Sequence, residues 1–226
     1  MASKAAMRGR IAKAARELAV LHKDRLDALK AHHEECARPD FLWHFLLQSF
    51  ATMGGSAGWA GLVGDPSNYS RVTFEAVERI PATKRHSHIR QACSDAKVRW
   101  PDRKAGFLVS AFDRIAALGG LAAANKALFE APGRAGKLKF LASFKGIGPK
   151  YARNIMMDVY HEDFRSSIAI DSRITALSDG WGLTFESYEA QELFYLEVAK
   201  EAGLNGWELD RLLYNFHDEF AARVVA

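Results

Sequence analysis

Residues 144–153 read Phe144-Lys145-Gly146-Ile147-Gly148-Pro149-Lys150-Tyr151-Ala152-Arg153. The apolar periodicity upstream stops at Phe144, and Pro149 suits the first position of a new helix, where its missing N–H costs nothing. Between them, Gly146 and Gly148 permit backbone conformations closed to other residues and leave amides bare for close approach. Amides at a helix N-terminus form a ready anion site, flanked here by Lys145 and Arg153. Gly146, Ile147, Gly148, Lys145 and Arg153 are therefore expected to hold a phosphate of the kind found in a DNA backbone.

A second landmark lies downstream. Ile168-Ala169-Ile170-Asp171-Ser172-Arg173-Ile174 is a short apolar, strand-like run that ends in an Asp at the start of a helix. A helix from Lys150 to Tyr160 travels about 15 Å. The ten residues 161–170 span up to about 33 Å when extended. Asp171 can therefore return beside Lys150, which puts an amine and a carboxylate next to the phosphate cradle.

Working outward, helical spacing of apolar residues recurs along the chain. A helix is expected over 3–36, with Ile11, Ala14, Leu18, Leu21, Leu26 and Leu29 on one side. Pro39-Asp40 leads into another from Phe41 to about Thr52, closed by Met53-Gly54-Gly55-Ser56. Others fit Thr73–Arg79, which Pro81 ends, and His88–Ala96. The next is capped by Asp102, with Ala105, Leu108, Phe112, Ile115 and Leu118 on one face. Further helices fit Leu121–Glu130, Gly136–Phe144, Lys150–Tyr160, Arg173–Ser178, Ser187–Ala202 and Asn205–Ala222. Ser167–Ile170, the one extended piece, is too short to make a sheet. The pattern predicts an all-α chain of about ten helices.

Composition agrees. The chain has 226 residues, 49% apolar and 26% charged, with a formal charge of +4. That is ample for a core and excludes low-complexity disorder for the bulk of the chain. Two cysteines, Cys36 and Cys93, are too few for a disulfide framework, a four-cysteine zinc site or a cysteine-ligated iron–sulfur cluster, and they suit a reducing compartment. No stretch approaches the roughly 20 apolar residues of a membrane span. Charge is unevenly spread: residues 1–30 carry +5, residues 31–98 balance, residues 99–173 carry +6 and residues 174–226 carry −7. A basic centre beside an acidic tail suggests one face that meets a polyanion and another that does not.

The hairpin run together with the Asp171 segment resembles the helix-hairpin-helix DNA glycosylase superfamily, which includes endonuclease III and 8-oxoguanine glycosylase. The resemblance is clearest over 136–177. It extends more loosely to Phe41–Ser49, to Arg103-Lys104-Ala105 and to Glu208–Tyr214. It implies a two-lobed helical fold with the active site in the cleft between lobes. The corresponding division is 1–40 as a basic N-terminal helix packing with the terminal lobe, 41–165 as a central lobe with the hairpin at about 137–160, and 166–226 as the Asp segment and C-terminal helices.

It also implies an enzyme of base excision repair, a DNA N-glycosylase with abasic-site (AP) lyase activity. Lys150 would be the nucleophile and Asp171 the electrostatic partner. The substrate would be double-stranded DNA with a damaged base, an oxidised purine before an oxidised pyrimidine, or with an abasic site. The protein would act as a monomer without cofactor or metal, in a bacterial-type cytoplasm at the nucleoid and away from membranes. Gln48, Phe50, Met53 and Ser56 fall where the family wedges the strand or lines the base pocket.

Departures from the pattern are a missing Gly/Pro-rich loop over 159–170, apolar residues in the wedging loop, Arg173 where many relatives have His, and no four-cysteine cluster. The residues alone leave open a non-catalytic DNA clamp, a monofunctional glycosylase and a protein-binding helical scaffold. His86-Ser87-His88 with Cys93, and His32-His33-Glu34-Glu35-Cys36, offer too few ligands for a metal site. Trp43, Trp59, Trp181 and Trp207 suit either core packing or stacking on a base. Gly146-x-Gly148 follows a helix rather than a strand, so no Rossmann or P-loop fingerprint is present.

Overall fold

A computed structural model describes residues 3–225. It contains fifteen α-helices, two 3-10 turns and, among the described residues, no strand. The chain divides into two compact units, one built from residues up to Glu34 and from Met156 onward, the other from Glu35–Ile155.

The second unit is organised around α3 (Phe41–Thr52), a helix apolar on nearly all sides and buried along nine of its residues. Trp43 sits at its centre and donates from Nε1 to Val72 O at 2.7 Å. It meets Phe74 and Phe112 edge-on. Three short helices follow: α4 (Ala57–Leu62), α5 (Pro66–Ser70) and α6 (Phe74–Glu78). Asp65 caps α5 by accepting from Ser67 and Asn68 N–H, with Pro66 at the first position. Thr73 caps α6.

Helix α7 (Ala82–Asp95) begins directly after Pro81, so this proline starts a helix as well as ending one. Helix α8 (Pro101–Ala117) buries Ala105, Leu108, Phe112 and Ile115 on one face, as their spacing predicts. Leu118 is partly exposed, and the cap residue is Trp100 rather than Asp102, which lies in the first turn. Helices α9 (Leu121–Glu130) and α10 (Gly133–Ala142) complete the unit, and α11 (Pro149–Met157) follows the glycine turn.

The first unit packs α1 (Lys4–Leu21) against α13 (Tyr188–Ala202), α14 (Gly206–Asn215) and α15 (His217–Val225), with α12 (Ser172–Gly180) against α14. Ile11, Ala14, Ala15 and Leu18 form the buried stripe of α1. The helix expected over 3–36 is broken at His22, where α2 (Lys23–Lys30) starts, and gives way to a 3-10 turn over Ala31–Ala37. His22 stacks on Phe216 at 3.5 Å between ring centroids and lies 3.3 Å from Glu219. Leu21, past the end of the buried stripe, is exposed. Phe216 likewise separates α14 from α15, where one continuous helix is expected from spacing.

Part of the N-terminal positive charge is met inside this unit. Arg8 lies 2.6 Å from Glu197 and 3.1 Å from Glu201, and Lys30 lies 2.8 Å from Glu208. The basic N-terminus and acidic C-terminus thus offset each other, which leaves residues 99–173 as the main excess of positive charge. No single helix among the described residues is long and apolar enough to cross a membrane.

Candidate active-site residues

The glycine turn is held from below. Gly146 adopts φ +92, and a Cβ there would lie 2.7 Å from the Phe107 ring, so both the backbone angle and the packing require glycine. Gly148 differs: its φ is not positive, and a Cβ would meet nothing within 4 Å. The space in front of Gly148 is open. Its carbonyl accepts from Ala152 N–H at 3.0 Å, so it caps α11.

The amides of Gly146 and Gly148 make no hydrogen bond among the described residues. Ile147 is not an open donor. Its N–H is engaged by Phe144 O at 3.0 Å, and its side chain is 5% exposed. Arg153 is 6% exposed and turned back onto its own helix, donating to Pro149 O at 3.0 Å. Lys145 is exposed. The anion-binding features expected of five residues therefore rest here on the two glycine amides and Lys145. Arg103, not among the five expected residues, is exposed and lies over the same Phe107 ring at 5.3 Å.

Lys150 stands in the first turn of α11, half-buried, with its Nζ 4.7 Å from the Tyr151 ring centroid. A primary amine at a helix mouth beside two unengaged amides is suited to meet a phosphodiester and the sugar attached to it.

Of the residues expected to wedge the strand, Phe50 is core, buried and 5.4 Å from Phe107. Gln48 accepts from Trp59 Nε1 at 3.2 Å. Met53 is half-buried at the end of α3, and Ser56 is exposed. The loop they form is anchored by Lys104, a fully buried lysine whose Nζ donates to Phe50 O at 2.7 Å and Met53 O at 3.0 Å. Burial, then the neighbouring Arg103, lowers its ammonium to about 8.

Arg99 donates to Gly54 O in the same loop. Trp100, in left-handed backbone conformation at φ +52, lays its ring against Gly54 while remaining 52% exposed. An exposed tryptophan beside Arg99 and the 53–56 loop is a ready stacking surface. Of the tryptophans weighed for stacking, Trp43 and Trp207 are core.

Asp171, in the other unit, caps α12. Its Oδ1 accepts from Arg173 N–H at 2.9 Å and Ile174 N–H at 3.0 Å. Oδ2 makes no hydrogen bond among the described residues. The segment leading to it forms no strand. Its backbone N–H groups are taken one by one by side chains: Ile168 by Glu192 at 3.1 Å, Ala169 by Asp210 at 2.7 Å, and Ile170 by the Tyr188 hydroxyl at 2.9 Å. Tyr188 in turn donates to Ile168 O at 3.2 Å. Gly206 admits this backbone against α14, since a Cβ there would lie 2.9 Å from Ser167 N. Near Asp171, Arg173 covers the ring of Tyr214 at 4.8 Å, and Tyr214 is 40% exposed.

Among the described residues no three His, Cys, Asp or Glu side chains group as a metal site, the His86-Ser87-His88 and His32–Cys36 runs included.

No protein-family model matches this sequence, and no curated protein matches it. Among solved structures, the chain is similar to the crystal structure of the 8-oxoguanine DNA glycosylase of Thermotoga maritima. The TM-score is 0.65 at 17% identity, covering 91% of this chain and 96% of that one. At that identity the likeness is one of fold: this all-α chain has the fold of that helical DNA glycosylase.

Proposed function

We propose that this protein is a DNA repair glycosylase that removes a damaged base, an oxidised purine first, and then cleaves the strand through a Schiff base on Lys150. The observation that carries the reading is the turn itself. Two unengaged glycine amides and an open face at Gly148 lead directly into a half-buried amine on the first turn of α11. The fold shared with a DNA glycosylase supports it.

In this reading the phosphodiester sits on the Gly146 and Gly148 amides, with Lys145 and Arg103 supplying positive charge. Taking the target base out of the stack costs a few kcal/mol and favours damaged bases. As the N-glycosidic bond breaks, its electron pair leaves with the base, which takes a proton from solvent. The positive charge that grows on the sugar is stabilised by the Asp171 carboxylate. Lys150 Nζ, after giving a proton to solvent, forms a bond to C1′; the C1′–O4′ bond then breaks, opening the sugar ring, and O4′ takes up a proton that the nitrogen gives up as the imine forms. Loss of a proton from C2′ then expels the 3′ phosphate, and water hydrolyses the imine to free the lysine.

Borohydride trapping on a duplex with one abasic site tests this, comparing wild type with Lys150→Gln. A covalent adduct from wild type that is absent in the variant is the expected result. No adduct from folded, DNA-binding wild type overturns the lyase step and leaves a monofunctional glycosylase or a bare clamp.

A further inference from the structure

The backbone N–H of Ala169 needs only a neutral acceptor, yet the chain supplies a carboxylate for it. Asp210 is 3% exposed. Burial pushes its carboxyl up to about 6, against smaller opposing effects from Arg211 and the Ala169 amide. The nearest cation, Arg211, stands 3.6 Å from Oδ2, and its Nε makes no aligned hydrogen bond. Arg211 also lies 3.2 Å from Asp158. Asp171 and Asp158 both act on Asp210 as like charges. From α13, Glu192 and Tyr188 hold the two neighbouring amides. An asparagine would make the same bond without bringing a charge into this surrounding, so folding alone does not call for Asp at this position.

We propose that Asp210 is a positioning residue for Asp171: it grips Ala169, two residues before the α12 cap, and its charge deepens the negative potential at Asp171. The inference rests on Asp171 being the carboxylate that stabilises the sugar. Before reaction, like charges at Asp158, Asp171 and Asp210 oppose one another. A cation forming at the sugar relieves that opposition, so the arrangement favours the transition state over the ground state. Asp210 does this without touching DNA.

Two variants separate grip from charge. Asp210→Ala removes both; Asp210→Asn keeps an acceptor for Ala169 and removes the charge. Amide hydrogen exchange at Ala169 reads the grip. Single-turnover cleavage of the N-glycosidic bond in a duplex with one oxidised purine, from pH 5 to 8, reads the consequence, with circular dichroism confirming folded protein and duplex binding measured alongside.

In Asp210→Ala, Ala169 exchanges at least tenfold faster and cleavage slows at least tenfold, with duplex affinity within twofold of wild type. Asp210→Asn restores slow exchange and part of the rate, but its profile lacks the rise through about pH 6 that wild type shows. Wild-type exchange at Ala169 in Asp210→Ala overturns the proposal, as does a wild-type rate and pH profile in either folded variant. If wild type itself neither excises a base nor cleaves an abasic site, the catalytic reading falls instead. The Ala169 exchange rate in Asp210→Ala then still decides whether Asp210 holds the segment.

Discussion

Gly146 and Gly148 stand two residues apart in one turn, and replacing each by alanine should give opposite results. In Gly146→Ala the new Cβ lies 2.7, 2.8 and 2.9 Å from three atoms of the Phe107 ring. That ring is packed against Phe50 on the core side. The left-handed backbone angle adds about 1–2 kcal/mol of strain. Overpacking adds about 1–3 kcal/mol, which puts the central value near 3.5 kcal/mol. For a chain of this length each kcal/mol moves Tm by about 2–4 °C, so the midpoint falls by roughly 7–14 °C.

Gly148→Ala meets no neighbour and needs no left-handed backbone. Restricting the unfolded chain stabilises by about 0.4–1 kcal/mol, so Tm holds or rises slightly. Its methyl nevertheless occupies the open face where the phosphate is proposed to sit. Duplex affinity then drops at least tenfold, about 1.4 kcal/mol. Thermal melts read the first quantity, and fluorescence anisotropy on an abasic duplex at fixed salt reads the second, because phosphate contacts depend on salt. Wild-type affinity in Gly148→Ala refutes the phosphate site at this turn. Wild-type melting in Gly146→Ala refutes the packing argument.

Two further outcomes follow from buried charges. The raised carboxyl of Asp210 means the folded chain binds a proton that the unfolded chain has lost between about pH 4 and 6. That stability is complete below pH 4 and gone above 6. Wild type therefore loses on the order of 3 kcal/mol relative to Asp210→Asn from pH 4 to 7, measured by urea unfolding; parallel curves contradict the burial argument. Lys104 runs the other way: its lowered ammonium makes stability rise with pH from about 8 to above 10, and Lys104→Met lacks that rise. The same variant strips Phe50 O and Met53 O of their donor at a cost of about 1–3 kcal/mol. Hydrogen exchange over residues 53–56 then quickens; unchanged exchange there shows that the loop does not depend on Lys104.

The helical class and the hydrophobic face of α8 were legible because they rest on periodicity, which a single chain displays. The turn at Gly146 was legible because glycine and proline punctuate backbone geometry directly. Short helices such as α4 and α5 were not, since a five- or six-residue helix shows too few repeats of an apolar pattern to register. The breaks at His22 and Phe216 were missed for a different reason. Each depends on the other through a stacked ring pair nearly two hundred positions apart, and no local propensity encodes that.

At the site, residue identity pointed to Lys150 and Asp171, but the direction of a side chain is a tertiary property. Arg153 reads as a free cation and is turned onto Pro149 O; Phe50 reads as a wedge and is core. Asp210 lies in the Glu208–Tyr214 stretch that the sequence singled out, but nothing marked it as buried, because a carboxylate on an amphipathic helix is ordinarily at the surface.

The segment before Asp171 obtains its hydrogen bonds from residues that come much later in the chain. The partner of Ile170 lies 18 positions on, that of Ile168 lies 24 positions on, and that of Ala169 lies 41 positions on. Nothing local substitutes for them, since the segment lies in neither helix nor sheet. During synthesis these amides remain bound to water until α13 and then α14 have emerged and docked. Closing such long loops is slow compared with forming helices. The carboxylate that caps α12 is thus set in place late, after the scaffold around it, and a chain cut short before Asp210 retains Asp171 in its sequence while losing its hold on Ala169.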